Sequence, residues 1–149
     1  MLDSYEINSS TLAIIAVSET LSRIIEKERE FYVSMSSLEI VENSCKYYGS
    51  TYEGRCEATR SMLGCSYKLP IIVEESKPII LFPISSPKFT KCSWFSITNV
   101  DKVVKHELGA KILFKTGYEL ILESSFDSIE NQMFRATRLS CILYDRQKQ

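Results

Sequence analysis

Histidine is nearly absent from this chain of 149 residues: His106 stands alone. Glycine and proline are scarce, at five and four, which excludes a collagen-like or largely disordered chain. No apolar run approaches the ~18 residues of a membrane span, and mean hydropathy is -0.08. The start, MLDSYEINSS, places an acid and no Lys or Arg before its apolar stretch, unlike a secretory signal. Neither sign of charge dominates. Eighteen Lys and Arg stand against nineteen Asp and Glu, for a net charge of -1 and a pI near 5.9. A protein held to nucleic acid by charge alone would usually show a domain pI above about 9.

What is present describes one soluble domain, read as residues 1–149, since about 100–200 residues per domain is usual. A chain of this length buries a core without help from metal or disulfide. The five cysteines, Cys45, Cys56, Cys65, Cys92 and Cys141, are odd in number. Without a signal they predict free, buried thiols in a reducing cytoplasm. Their spacings are too wide for the close pairs of a zinc site, so no metal or other cofactor is expected. Charge is uneven: residues 1–44 hold eight acids and three bases, whereas 45–68 hold four bases and two acids. That asymmetry permits a basic face on an acidic protein.

Local patterns predict an α+β domain with mainly antiparallel strands and two or three helices. Residues 5–17 read as two short strands around Asn8-Ser9-Ser10, followed by a hairpin with Lys27 to Arg29 at its tip. Ser36 and Glu39 form a capping box for a helix whose face carries Leu38, Val41, Cys45 and Tyr48, ending at Gly49. A second helix follows Ser50-Thr51 and ends at Gly64. Strands are expected at 69–73 and 79–82, one or two within 94–104, and a hairpin turning at Thr116-Gly117. An amphipathic helix closes the chain from near Asp127, with Glu130 at N3 and Phe126, Ile129, Met133 and Ala136 on its buried face.

Catalysis finds little support. A thiol nucleophile needs a base, and His106 lies in the charged run Lys105-His106-Glu107, expected to face water. Glu74-Glu75 sits in a turn composition, and no glycine-rich phosphate loop precedes a Lys-Ser or Lys-Thr pair. The chain is read as a non-enzyme. Residues 45–68, CKYYGSTYEGRCEATRSMLGCSYK, instead interleave Lys46, Arg55, Arg60 and Lys68 with Tyr47, Tyr48, Tyr52 and Tyr67. Cations of this kind engage phosphates or enter a narrow A·T-rich minor groove. The competing reading makes Cys45 and Tyr48 core and leaves the charges as a solvated surface.

The strings YEIN and RIIEKEREFYVSMSSLEIVENSCKYYGSTYEGR resemble the competence transcription factor (ComK) family of Gram-positive bacteria. So do LPIIVEESKPIILFPISSP, the C-x-W-x-S element at Cys92, Trp94 and Ser96, and SFDSIENQMFR. They follow the family's order over nearly the whole chain. The resemblance implies a cytoplasmic, sequence-selective activator of DNA-uptake genes. It implies self-associated protein on paired A·T-rich boxes of double-stranded DNA, read largely through the minor groove. RNA polymerase and a protease adaptor are further implied partners, and no membrane is. Longer members continue past the C-terminal helix, which leaves a second reading open: an interaction module pairing with a full-length relative or adaptor.

Candidate DNA contacts are the family-matching Lys46, Tyr52, Arg55 and Arg135, with Arg60, Lys68 and Lys91 added on charge. For Arg55 the alternative role is an ion pair with Glu53 or Glu57. For Arg135 it is a solvated helix surface.

Overall fold

The structure, a computed structural model, describes residues 1–88 and 91–149. β1 (Thr11–Ser18), β2 (Leu21–Glu26) and β3 (Glu30–Val33) form an antiparallel meander, with residues 27–29 at the expected tip. β4 (Ile71–Glu74) and β5 (Ile79–Pro83) form a second hairpin. The three residues of β6 (Trp94–Ser96) pair with β1 on one side and β5 on the other. A six-stranded antiparallel sheet results, in the order β3-β2-β1-β6-β5-β4. β7 (Val100–His106), β8 (Gly109–Phe114) and β9 (Glu119–Leu122) make a separate antiparallel sheet. The strand region at 94–104 is therefore split between two sheets by a 3-10 turn, Ile97–Asn99.

Three helices complete the mixed α+β architecture among the described residues: α1 (Ser37–Tyr47), α2 (Tyr52–Leu63) and α3 (Phe126–Gln147). The capping box forms as expected. Ser36 Oγ accepts from the Glu39 N–H at 3.1 Å, and Glu39 Oε1 accepts from the Ser36 N–H at 3.2 Å. Gly49 and Gly64 follow the first two helices with φ of +90° and +72°, a region that glycine enters without steric cost. α1 buries Ile40, Val41, Ser44 and Cys45, leaving Leu38 and Tyr48 partly buried at the margin. α3 is capped by Ser125, whose side chain accepts from the Ser128 N–H, so Ser128 occupies N3 and Glu130 lies two positions further on. Its buried face carries Ile129 and Ala136 as expected, with Gln132, Leu139 and Leu143; Phe126 and Met133 are half-buried.

The six-stranded sheet is buried on both faces. Ile14, Ile24, Val33, Ile71 and Trp94 pack toward α1 and α2, whereas Leu12, Ile25, Ile80, Phe82 and Phe95 pack toward the smaller sheet and α3. Full burial of one such side chain contributes roughly 1.5–3 kcal/mol. β5 is buried along its whole length, which is why it reads as an unbroken apolar run.

The expected strand at 5–7 does not form. Its backbone groups bond to α1 side chains instead of a neighbouring strand: the Ile7 N–H donates to Ser44 Oγ at 3.0 Å, and the Ile7 carbonyl accepts from Tyr48 OH at 2.7 Å. The Tyr5 hydroxyl donates to Glu26 Oε2 at 2.5 Å and shares a 2.6 Å hydrogen bond with Thr11 Oγ1. Arg29 Nε donates to the other Glu26 oxygen at 2.8 Å. Burial alone would raise the Glu26 pKa. The hydrogen bonds from Tyr5, Arg29 and Asn8 outweigh it and hold the carboxyl below its ordinary value.

Gln132 joins α3 to the loop after α2 and to the end of β5, where the next loop begins. Its Nε2 donates to the Lys68 carbonyl at 2.9 Å and to the Pro83 carbonyl at 2.7 Å, while the residue is 1% exposed. Similar stitches run from Ser37 Oγ to the Cys92 carbonyl and from Thr59 Oγ1 to the Pro70 carbonyl. Each satisfies a buried carbonyl that no strand neighbour reaches.

Two outcomes follow. The Glu26 contribution is present above the unfolded carboxyl pKa and is lost as pH falls through the lower folded value. Urea unfolding in steps from about pH 6 to about pH 3 should therefore show a steeper loss for the unmodified protein than for Tyr5→Phe; equal slopes would reject the network. Gln132→Leu strands two buried carbonyls and should cost about 1–3 kcal/mol in the same assay, with faster amide exchange in both loops.

Candidate nucleic-acid interface

On α2, Tyr52, Cys56 and Arg60 recur every four residues and so stand above one another on one helix face. The loop leaving α2 turns back along this face. Lys68 adopts φ +51°, and its carbonyl is held by Gln132. The loop leaving β5, anchored by Gln132 at Pro83, brings Ser86, Pro87 and Lys88 to the same place. Together with Leu38, Ser66, Tyr67 and Leu69, these residues line an open cleft of about 330 Å³. Arg60, Lys68 and Lys88 line it, and no carboxylate does among the described residues. Three of the residues singled out from sequence, Tyr52, Arg60 and Lys68, are thus brought together. Lys88 is the cation that sequence reasoning passes over.

Arg135 extends this surface onto α3. One guanidinium N–H donates to the Tyr67 carbonyl at 2.7 Å and another to Gln132 Oε1. The guanidinium also lies 5.8 Å from the centre of the Tyr67 ring. Arg135 is therefore half-buried and tied to the loop, which replaces the solvated-surface alternative with a structural one. Lys68 Nζ donates to Ser128 Oγ at 3.4 Å, so its charge points toward α3. Tyr67 itself is 72% exposed. The Tyr52 ring meets Trp94 edge-on at 6.5 Å, and burial raises its phenol pKa above the ordinary value. It serves as an apolar wall with its hydroxyl protonated.

The remaining candidates lie outside the cleft lining. Lys46 is exposed in the last turn of α1, where a cation also suits the helix dipole. Lys91 is exposed on the β5–β6 connection, three residues beyond Lys88. Arg55 forms an ion pair, with Glu75 rather than Glu53 or Glu57: Nη1 to Oε1 is 2.6 Å, and the arginine side chain is only 12% exposed. It ties the first turn of α2 to the β4–β5 turn. Its partner is twenty residues away, beyond the range of a helix-neighbour search.

Elsewhere the chemistry is quiet. His106 Nδ1 accepts from the Leu108 N–H at 3.1 Å and so braces the β7–β8 turn. Cys45, Cys56 and Cys92 are buried, as expected, but Cys65 is half-buried and Cys141 exposed. Burial pushes the Cys45 thiol up to about 11 and raises those of Cys56 and Cys92 as well. Such thiols stay protonated and unreactive. Among the described residues, no group of three His, Cys, Asp or Glu side chains is placed to hold a metal ion. No described helix is long and apolar enough to cross a membrane.

Comparison with known proteins gives a family. The family model described as ComK protein matches residues 2–148. The protein named competence transcription factor from Bacillus subtilis (strain 168) is 37% identical over 149 residues, covering 97% of this chain and 78% of the relative. No solved structure matches. A match that runs through both sheets and all three helices, cleft included, leaves one conclusion: the chain belongs to the ComK protein family.

Proposed function

We propose that the chain is a non-enzymatic transcriptional regulator of competence genes, with residues 1–149 acting as one DNA-binding unit in the cytoplasm. It binds paired A·T-rich boxes in double-stranded DNA as self-associated protein, and as an activator it acts on RNA polymerase at those promoters. The observation that carries this reading is the cleft lined by Arg60, Lys68 and Lys88 without a lining carboxylate among the described residues. The family membership and the name of the relative support it.

In this reading Arg60 and Lys88 are the outer phosphate contacts, because both are exposed at the cleft. Lys46 and Lys91 supply further contacts at the periphery. Lys68 and Arg135 orient the Tyr67 loop and add positive potential behind it. Slender cationic side chains suit a narrow A·T-rich minor groove, whose hydrogen-bond pattern separates A·T from G·C and little more. Selectivity then comes from groove width, bending and the spacing of paired boxes. A net charge of -1 is compatible with this because Arg60, Lys68 and Lys88 line one cleft and self-association doubles the contacts.

Fluorescence anisotropy on a duplex with two A·T-rich boxes and on a G·C-rich duplex of equal length tests the proposal. The expected result is preference for the first, with affinity falling as salt rises. Arg60→Ala and Lys88→Ala should each weaken binding, and each lost phosphate contact should lower the salt slope by about 0.9. Equal, weak binding to both duplexes would overturn the reading in favour of a protein-interaction module. Arg55→Ala behaves differently: it should lower the unfolding midpoint and leave the salt slope unchanged, because Arg55 is engaged with Glu75.

A further inference from the structure

α3 presents a second face, distinct from the one it buries. Glu130, Phe134, Thr137, Cys141 and Tyr144 recur at spacings of 4, 3, 4 and 3 along it, and Lys148, the C-cap, continues the series by 4. The spacing is that of a coiled-coil seam, here with charged residues at its two ends. The buried face of the same helix is separate, built on Ile129, Gln132, Ala136, Leu139 and Leu143. On the outer face Phe134 is 65% exposed and Tyr144 58% exposed, with the smaller Thr137 and Cys141 exposed between them. Lys148 Nζ lies 4.6 Å from the centre of the Tyr144 ring, yet both rings stay more than half exposed on one helix stripe, which marks a contact surface.

The stripe is graded in charge. It is acidic at its N-terminal end and basic at its C-terminal end, with two aromatic rings and two small side chains between. We propose that two copies of this chain pair through this face of α3, with the helices antiparallel. A two-fold axis level with residue 139 sets Phe134 against the partner's Tyr144, Thr137 against the partner's Cys141, and Glu130 against the partner's Lys148. Large side chains then meet large ones at the two ends of the contact. Small ones meet at its centre, where the helix backbones can approach closely. Parallel pairing would stack Glu130 on its own copy and Lys148 on its own copy. The antiparallel arrangement matches opposite charges and opposes the helix dipoles. It is also the closed, self-complementary symmetry that stops at a dimer. Two copies of Arg138 flank the axis; as long exposed side chains they turn apart into water.

This pairing deepens the proposed reading of paired boxes by naming the surface between two copies, and its test contains no DNA, so the two ideas fail separately. Sedimentation equilibrium of the full chain under reducing conditions should show a concentration-dependent dimer. Phe134→Glu should weaken it by more than about tenfold; the position is exposed, so circular dichroism should show the fold unchanged. Glu130→Lys should also weaken it, and adding Lys148→Glu should restore it, a rescue that parallel pairing does not predict. The two Cys141 Cα atoms would lie roughly 10–12 Å apart, too far for a disulfide but within reach of a bismaleimide linker. The cross-linked dimer should vanish with Cys141→Ser. A chain that stays monomeric at every concentration, or a dimer indifferent to Phe134→Glu, would overturn the proposal.

Discussion

One side-chain amide holds the functional face in place. Gln132 is buried in α3 yet commits both Nε2 protons to carbonyls of different elements, Lys68 in the loop after α2 and Pro83 at the end of β5. Its oxygen meanwhile accepts from Arg135, which reaches on to the Tyr67 carbonyl. Lys68 lies outside any strand and Pro83 is the last residue of β5, and the one amide gives both buried carbonyls a partner. The cleft between α2 and the two loops therefore depends on a residue that does not line it. That dependence couples the C-terminal helix to a basic surface built mostly from residues 52–88.

The same device recurs throughout the molecule. A sheet buried on both faces leaves carbonyls at strand ends that water cannot reach. Ser37, Thr59 and Asn99 supply them with hydrogen bonds to Cys92, Pro70 and Thr11. Each net bond contributes about 1 kcal/mol, but leaving the acceptor unpaired costs more than that. The small polar residues inside the core are thus as necessary to the architecture as the isoleucines around them. They also set the register of the helices against the sheet, which apolar contacts alone specify loosely.

Local signals are legible in the sequence by itself. The Ser36–Glu39 capping box, the Lys27–Arg29 tip, the Thr116-Gly117 turn and the end of α2 at Gly64 all rest on residues close together in the chain. What lay hidden involves distant partners. Tyr5 to Ile7 alternates like a strand, but Ser44 and Tyr48 take its hydrogen bonds. β6 and β7 are adjacent in sequence, yet three residues of 3-10 turn send them to different sheets. At the candidate site, Tyr52, Arg60 and Lys68 stood out because they belong to one short basic, aromatic segment. Lys88 did not, because only the return of its loop to α2 gives it company. The Arg55–Glu75 pair was missed for the same reason of distance.

The placement of β6 has a consequence for how the chain is made. The central sheet takes three strands from residues 11–33 and two from residues 71–83, and only Trp94–Ser96 closes the gap between them. While a ribosome is still extending the chain toward that point, β1 and β5 are two open edges with nothing between them. Unpaired edges bordered by apolar side chains are where chains stick to one another. The N-terminal half is accordingly a vulnerable nascent species, and three residues arriving late join its two parts into one continuous sheet. Synthesis past residue 96, more than any local helix or hairpin, is the step that removes the two inner edges from reach.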